Sequence, residues 1–167
     1  FVDSLPRSSF YTEGARSASL GMLQRAARVT SDFYLASTPI DGVPYWDTGA
    51  PGLAKLGDYL ARPADPYNDF EPVDSSAAAI AAQGLLRLGR HLVQHDKPEA
   101  SRYWQAGLTV ARALLREPYL STDPLHEGLL LHVVYHRPNG WDFIPPERKV
   151  PSGESALWGD YHLRELG

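Results

Sequence analysis

The first candidate for chemistry is an acid that follows two aromatic residues in a proline-rich stretch. Tyr45, Trp46 and Asp47 lie between Pro44 and Pro51. A carboxylate withdrawn from water has a raised pKa and can act as a general acid, and an indole face can stack on a sugar ring. Asp47 is therefore our candidate catalytic residue, and Trp46 is a candidate substrate contact. The structural alternative is a turn carboxylate for Asp47 and packing for Trp46.

A second candidate is the start of an alanine-rich stretch, DSSAAAIAAQGLL at 74–86. Asp74 can cap a helix here by accepting hydrogen bonds from free backbone N–H groups. A helix N-terminus can also bind an anion such as a uronate carboxylate, which makes Asp74 and Ser75 candidate substrate contacts. The small side chains that follow either permit close packing of a second helix or leave room for a ligand.

The second half of the chain carries further aromatic and charged candidates. Trp141 and Trp158 can stack on a sugar, with packing as the alternative. We expect Glu154 to cap backbone N–H groups and Asp160 to belong to a structural hydrogen-bond network. The loop cations Arg148 and Lys149 either attract an acidic sugar or are simply solvated.

Two histidine pairs have the i, i+4 spacing that places both rings on one face of a helix. They are His91 with His95 and His132 with His136. Such pairs can bind zinc, but neither has the acidic neighbour of H-E-x-x-H or an obvious third ligand, so we expect no metal. The absence of cysteine excludes disulfides and thiolate sites, and no nucleotide-binding glycine motif occurs, so no cofactor is expected.

The elements that must position these residues are helices. Strand signals are weak, and apolar residues recur at helical spacing over 17–36, 74–94, 98–116 and 154–166. The segment 38–73 contains six prolines and is expected to be a long, ordered loop. Residues 129–135 are a short apolar segment, either helix or strand. The pattern predicts an all-α fold of helix pairs in a single domain, 1–167.

Composition narrows the class of protein. The 167 residues are 43% hydrophobic and 22% charged, which is typical of a globular domain. The net charge of −4, without a basic patch, argues against a nucleic-acid partner. No apolar run has the length of a membrane span, and the first residues do not look like a signal peptide. We therefore expect no membrane partner and leave the compartment open between cytoplasm and secretion.

Four motifs in a fixed order connect the functional stretches. They are TPIDGVPYWD at 38–47, DSSAAAIAAQGLL at 74–86, GLLLHVVYHRPNGWD at 128–142 and SGESALWGDYHLREL at 152–166. In this order and spacing they resemble unsaturated glucuronyl hydrolases, glycoside hydrolase family 88, and most closely the fungal type. The resemblance implies an (α/α)6 barrel of twelve helices. With four or five helices in its pattern, the chain resembles the C-terminal part of such a barrel.

The resemblance also implies a reaction. Family members hydrate the C4=C5 double bond of an unsaturated uronic acid at the non-reducing end: an aspartate protonates C4 and activates water for attack at C5, and the resulting hemiketal opens. The two-carboxylate scheme of ordinary glycosidases does not apply directly. The family's catalytic aspartates belong to motifs of the N-terminal half that do not occur here, so no catalytic role is transferred. Ser152 and Ser155 match the small polar residues that contact the sugar ahead of WGDY.

Different functions stay open at this point. The first is hydrolysis of an unsaturated uronic-acid oligosaccharide, with an N-terminal half that is not in this chain. The second is a non-catalytic remnant that binds carbohydrate or self-associates as a homo-oligomer, because a partial barrel exposes apolar helix faces. The third is a small closed bundle. The substrate contacts expected for the hydrolase are Trp46, Asp74, Ser75, Ser152, Ser155 and Trp158.

Overall fold

The computed structural model describes residues 12–166 and is helical. Its four α-helices are α1 (Glu13–Ser37), α2 (Ser75–Leu92), α3 (Lys97–Leu114) and α4 (Leu157–Arg164). Short 3₁₀ helices occupy Pro51–Lys55, Tyr59–Ala61 and Arg137–Asn139. The predicted all-α class is confirmed. Residues 1–11 and 167 of the predicted domain 1–167 lie outside the described range.

Extended pairing is minimal in the described part of the chain. Between residues 12 and 166 no β-strand forms, and two isolated antiparallel bridges join Tyr45 to Val73 and Leu120 to Leu130. No helix in this range is long and apolar enough to cross a membrane. The connections between helices are therefore ordered by turns and side-chain hydrogen bonds.

Side-chain caps explain where the first three helices begin. The Thr12 hydroxyl accepts from the N–H of Ala15 at 3.3 Å, so α1 starts four residues before the predicted position 17. The Asp74 carboxylate accepts from the N–H of Ser76 at 3.0 Å and caps α2 as predicted. Asp96 caps α3 in the same way, through the N–H of Glu99. Each cap satisfies backbone donors that have no partner inside the helix.

The α2–α3 pair forms the centre of the packing and accounts for the alanine run. Ala78, Ala79 and Ala82 are completely enclosed. At Gly89, an added Cβ would lie only 2.9 Å from the carbonyl oxygen of Ala100 and the amide nitrogen of Trp104. Real Cβ atoms do not approach other atoms so closely, so the two backbones meet there because the residue is glycine. The small residues thus permit close helix packing, the first of the two alternatives.

No residue of α1 is fully buried, and charged side chains join this helix to α3. Arg28 donates to Glu99 at 2.7 Å, and Arg102 donates to Asp32 at 2.7 Å. The hydroxyl of Tyr103 also donates to Asp32, at 2.9 Å, and lowers the pKa of that carboxyl together with the guanidinium of Arg102. Ion pairs near the surface contribute little each, and the partly buried side chains of Ala27, Tyr34 and Leu35 also pack α1 against the core.

α4 packs across the start of α2. Gly159 lies where an added Cβ would come within 3.0 Å of the Val133 side chain and 3.4 Å of Ser76. The side-chain amide of Gln83 donates to the carbonyl of His162 at 2.9 Å. The helix begins at Leu157, three residues after the predicted start at 154, because the preceding residues are engaged in contacts with the segment before it.

Buried carboxylates order the long loop 38–73. Glu71, 5% exposed, accepts from the indole N–H of Trp46 at 2.7 Å and from the N–H of Gly52 at 2.8 Å. Asp41 accepts from the N–H of Ala64 at 3.1 Å, and its burial raises its pKa. The prediction of an ordered loop is confirmed, and its order comes from acceptors that replace missing secondary structure.

The segment 129–135 is neither helix nor strand, so that prediction is wrong. After the single bridge at Leu130, His132 adopts a left-handed backbone with φ 64°. A left-handed residue breaks both regular conformations. Instead the segment supports α2: Ser75 donates its N–H to the His132 carbonyl at 3.1 Å and its hydroxyl to the Leu131 carbonyl at 2.6 Å.

Candidate functional site

Two neighbouring cavities share one wall, the loop 152–156 that precedes α4. The first, here called the serine cavity, has a volume of about 600 Å³ and includes His126, Phe143, Ser152 and Ser155 in its lining. The second, the aromatic cavity, has a volume of about 310 Å³ and is lined by residues that include Tyr135, Trp141, Trp158 and Ser155. The structure thus brings together three residues predicted from sequence: Ser152, Ser155 and Trp158.

In the serine cavity, the hydroxyl of Ser155 already has two partners. It donates to the Leu130 carbonyl at 2.7 Å and lies 2.8 Å from Nε2 of His126. Because a hydroxyl carries one proton, the imidazole must donate at Nε2 when both contacts form. Ser155 is left with the capacity to accept one more hydrogen bond, for example from a sugar hydroxyl. Ser152, 9% exposed, lines the same cavity.

Carboxylates hold the walls of these cavities. Glu154 accepts from the N–H of Phe143 at 2.7 Å. Asp160, on α4, accepts from the N–H groups of Leu129 and Leu130 at 3.0 and 2.8 Å. The structural network expected for Asp160 is confirmed, whereas Glu154 binds a backbone N–H of the preceding segment and does not cap the last helix, which has no side-chain cap. These bonds hold the wall 152–156 against Phe143 and hold residues 129–130 against α4.

Three aromatic rings form a stack beside the aromatic cavity. The ring of Tyr135 lies between those of Trp141 and Trp158, with centroid distances of 5.9 and 5.4 Å and interplanar angles of 28° and 30°. Trp141 is 61% exposed and Trp158 is 37% exposed. The Trp158 indole N–H donates to the Ser76 hydroxyl at 3.2 Å, which holds that ring at the start of α2. Partly exposed, oriented rings are suited to stacking on a sugar.

The two α2 candidates make their hydrogen bonds within the protein. Ser75 is completely buried. Asp74 accepts from the hydroxyl of Ser76 at 2.7 Å in addition to its capping bonds, and burial raises its pKa. Ser76 in turn accepts from Trp158. In this arrangement Asp74 and Ser75 act on the cavities through other residues; direct contact with a substrate stays a proposal.

Trp46 and Asp47 lie apart from the two cavities and line neither of them. The indole N–H of Trp46 is bound to Glu71. Asp47 is exposed and accepts from the N–H of Gly49 at 2.6 Å, which closes a tight turn. This is the structural alternative considered for Asp47. A catalytic role for Asp47 stays a proposal.

The other polar candidates have partners inside the fold. Arg148 donates to the Tyr67 carbonyl at 2.9 Å, and Lys149 pairs with Asp69 at 2.8 Å. The rings of His91 and His95 are 6.0 Å apart. Across residues 12–166 no group of three histidine, aspartate or glutamate side chains is arranged to hold a metal ion.

Two residues of the site, Tyr135 and His126, were missed from the sequence, and His132 was considered only as half of a histidine pair. Tyr135, His126 and His132 each occupy a place that depends on contacts far along the chain. Ser155 lies 29 positions from His126, and Gly153, which donates to His132, lies 21 positions from it. No local pattern marks such pairs, because neither helix nor strand periodicity relates their positions.

Comparison with known proteins agrees with this geometry. No family model matches the chain. An unsaturated glucuronyl hydrolase from Bacillus sp. (strain GL1) is 34% identical over 145 residues, a match that covers 86% of this chain and 31% of the relative. An unsaturated chondroitin disaccharide hydrolase from Streptococcus pyogenes serotype M1 is 33% identical over 137 residues, which cover 80% of this chain and 27% of that protein.

A solved structure extends the likeness to the fold. The crystal structure of the Bacillus sp. GL1 unsaturated glucuronyl hydrolase, described as responsible for the degradation of glycosaminoglycan, matches with a TM-score of 0.64 and 32% identity. The match covers 90% of this chain and 34% of that chain. This chain resembles unsaturated glucuronyl hydrolases.

The likeness has a defined extent. The chain spans about a third of the length of the glucuronyl hydrolases that it matches. The predicted fold class, all-α with part of an (α/α)6 barrel, is confirmed by the helices and by this structural match. The relatives are bacterial, so they support the resemblance to these hydrolases and not the predicted fungal type.

Proposed function

We propose that this chain forms the C-terminal part of an unsaturated glucuronyl hydrolase. The reaction is hydration of the C4=C5 double bond of a terminal unsaturated uronic acid, which releases that acid from an oligosaccharide. The observation that carries the proposal is the pair of cavities around the wall 152–156, in a chain similar to such hydrolases over most of its length. The fungal type stays a prediction.

The substrate contacts of the proposed enzyme lie on both sides of that wall. The Ser155 hydroxyl oxygen accepts a hydrogen bond from a sugar hydroxyl through its remaining lone pair, and Ser152 lies in the same cavity. Trp158 and Trp141 supply stacking faces in the neighbouring cavity, and the ring of Tyr135 between them holds both in orientation. Asp74 and Ser75 contribute by holding Ser76 and the segment 131–132 in place.

The proton donor of the proposed reaction is not assigned to a residue of this chain. Because the chain spans about a third of its relatives' length, we propose that the active unit contains further residues, on the same polypeptide or on a partner chain. Asp47 is the acid to test if the chain is active alone. The non-catalytic alternative, a protein that only binds carbohydrate, is the outcome in which sugar binds without turnover.

The test is turnover of an unsaturated glucuronyl disaccharide, followed as loss of the ultraviolet absorbance of its conjugated double bond. Intact mass spectrometry of the same sample shows which chains are present. Turnover by the chain alone would place the acid within it, and Asp47→Asn would then be the first variant. Turnover only with additional residues present supports the proposal. If an assembly that contains those residues neither binds nor turns over the disaccharide, the proposal is contradicted.

Variants of the wall and the aromatic stack sharpen the test. We expect Trp158→Ala to lower kcat/KM about tenfold or more, because the stacking face is lost. Trp158→Phe keeps a smaller stacking ring and loses the hydrogen bond to Ser76, so a smaller loss of about threefold in kcat/KM is expected. We expect Ser152→Ala to lower kcat/KM, because the residue lines the serine cavity. The control is Ser101→Ala, which should leave kcat/KM unchanged, since Ser101 is an exposed serine on α3, far along the chain from the wall.

A further inference from the structure

His132 connects three parts of the fold at one residue. Its carbonyl accepts from the N–H of Ser75 at the start of α2, at 3.1 Å. Its ring Nδ1 accepts from the N–H of Gly153 in the cavity wall, at 3.0 Å. The next residue, Val133, donates its N–H to the Glu154 carbonyl at 3.0 Å. The wall is therefore bound to α2 through His132 and its neighbour.

This connection uses an unusual conformation and environment. His132 is a non-glycine residue with φ 64°, and it is 3% exposed. Since Nδ1 accepts a hydrogen bond, the ring proton resides on Nε2, a buried atom that makes no hydrogen bond of normal geometry among residues 12–166, although the Pro118 carbonyl acts on the ring. A left-handed backbone and an unpaired buried donor are both unfavourable. Their occurrence together points to a role for the hydrogen-bond acceptor that the ring supplies at this position.

The surroundings keep the ring neutral. The rings of Tyr67 and Tyr119 meet it edge to face, at centroid distances of 5.2 and 5.9 Å. Burial lowers the pKa of His132 to about 4, the charge of Arg148 acts in the same direction, and the carbonyl of Pro118 acts against it. At neutral pH, Nδ1 therefore remains free of a proton and available as an acceptor.

We propose that His132 is a positioning residue that sets the place of the wall carrying Ser152 and Ser155. Gly153 has φ 90° and lies between these two serines. The hydrogen bond from its N–H to Nδ1 of His132 therefore holds the wall in place. Movement of Gly153 would displace both hydroxyls relative to the sugar. The inference rests on the proposed function for its effect on substrate, but the placement itself can be tested without substrate.

Two substitutions separate the backbone of His132 from its ring. His132→Asn tolerates the left-handed conformation and presents a carbonyl oxygen near the position of Nδ1. His132→Gly tolerates the same conformation but has no acceptor. If only the turn matters, the two variants behave alike. If the acceptor matters, the asparagine variant retains the wild-type placement of the wall and the glycine variant does not.

The first readout is hydrogen exchange of the Gly153 amide by NMR in the folded protein. We expect exchange to accelerate about tenfold or more in His132→Gly and to stay within about threefold of wild type in His132→Asn. The amide of Leu131, which donates to the Tyr119 carbonyl at 2.7 Å, is the internal reference and keeps its rate. Equal exchange of Gly153 in wild type and His132→Gly would overturn the proposal.

The second readout is steady-state kinetics in an active preparation that contains this chain. We expect His132→Gly to raise KM about tenfold with kcat within about threefold, and His132→Asn to restore KM. An effect on kcat alone, or KM unchanged in His132→Gly, would contradict the positioning role. Absence of turnover in wild type would argue against the proposed function instead, and exchange at Gly153 would still decide whether His132 positions the wall.

Discussion

The α2–α3 pair and the segment 128–160, which is mostly irregular and ends in the first turn of α4, are held together by different forces. In the helix pair, small side chains bring two backbones into contact, and burial supplies the stability. In the irregular segment, the carboxylates of Asp142, Glu154 and Asp160 and the ring of His132 accept from backbone N–H groups that have no partner in a helix or strand. The candidate site is therefore held by hydrogen bonds from backbone N–H groups to polar side chains, whereas the helix pair is held by apolar packing.

Asp142 is one of the carboxylates that hold the backbone of this segment in place. It is 7% exposed and accepts from the N–H groups of both Tyr135 and His136. The carboxylate thus supports the residue whose ring lies between two tryptophans. Charge-assisted bonds of this kind are sensitive to titration and to single substitutions, whereas close helix packing is sensitive to volume.

The largest expected effect is a loss of stability in acid that arises in the irregular segment. The pKa of His132 is lowered from 6.5 to about 4 by burial, so between these values the unfolded chain binds a proton that the folded protein does not. The contribution is present in full above pH 6.5 and is lost as the pH falls to about 4. A shift of about 2.5 pKa units corresponds to about 3 kcal/mol in the free energy of unfolding.

Urea unfolding of wild type and His132→Asn between pH about 7 and about 4.5 checks this expectation. Asp41 and Asp74 are present in both proteins, and burial raises the pKa of each, so their contributions grow as the pH falls through those raised values. The difference between the two proteins therefore isolates the histidine. A difference that does not change with pH would mean that His132 is not kept neutral by the fold.

The second effect tests close packing in the helix pair. Gly89→Ala places a Cβ about 2.9 Å from the Ala100 carbonyl and the Trp104 amide, which are backbone atoms and cannot rotate away. We expect a loss of about 2.5 kcal/mol, because α2 and α3 must move apart. Thermal and urea unfolding measure it. An unchanged midpoint would show that the helices do not approach as closely as described.

The third effect returns to the irregular segment. Asp160→Ala removes the acceptor for the N–H groups of Leu129 and Leu130, and we expect a loss of about 2 kcal/mol. Asp160→Asn keeps one carbonyl oxygen and should lose about half as much. Urea unfolding of the two variants side by side decides the matter. Equal losses would assign the effect to charge and not to the hydrogen bonds.

The smallest effect is a gain, and it serves as the control for Gly89. Gly84 lies on the same helix, is exposed, and has nothing within 4 Å of an added Cβ. Gly84→Ala should stabilise the protein by about 0.5 to 1 kcal/mol, since alanine loses less backbone entropy on folding. A loss at Gly84 comparable to that at Gly89 would mean that helix packing does not distinguish the two positions.

Sequence alone determined the features that depend on residues within about four positions of each other. Helices form in all four predicted segments, although α1 starts four residues earlier and α4 three residues later than predicted, and Asp74 caps α2 as its type and position indicated. Caps and helical faces arise from hydrogen bonds and spacings that are local in the chain, so the sequence carries them directly. The small residues of α2 were likewise visible, although the sequence left two uses for them.

Tertiary structure decided the site. The bond between Trp158 and Ser76 joins residues 82 positions apart, and the contact between His126 and Ser155 joins residues 29 positions apart. Ser75 is buried and hydrogen-bonded within the fold because the segment 131–132 passes over the start of α2. The path of an irregular chain depends on which buried donors find acceptors across the fold, and no local pattern of residues records that outcome.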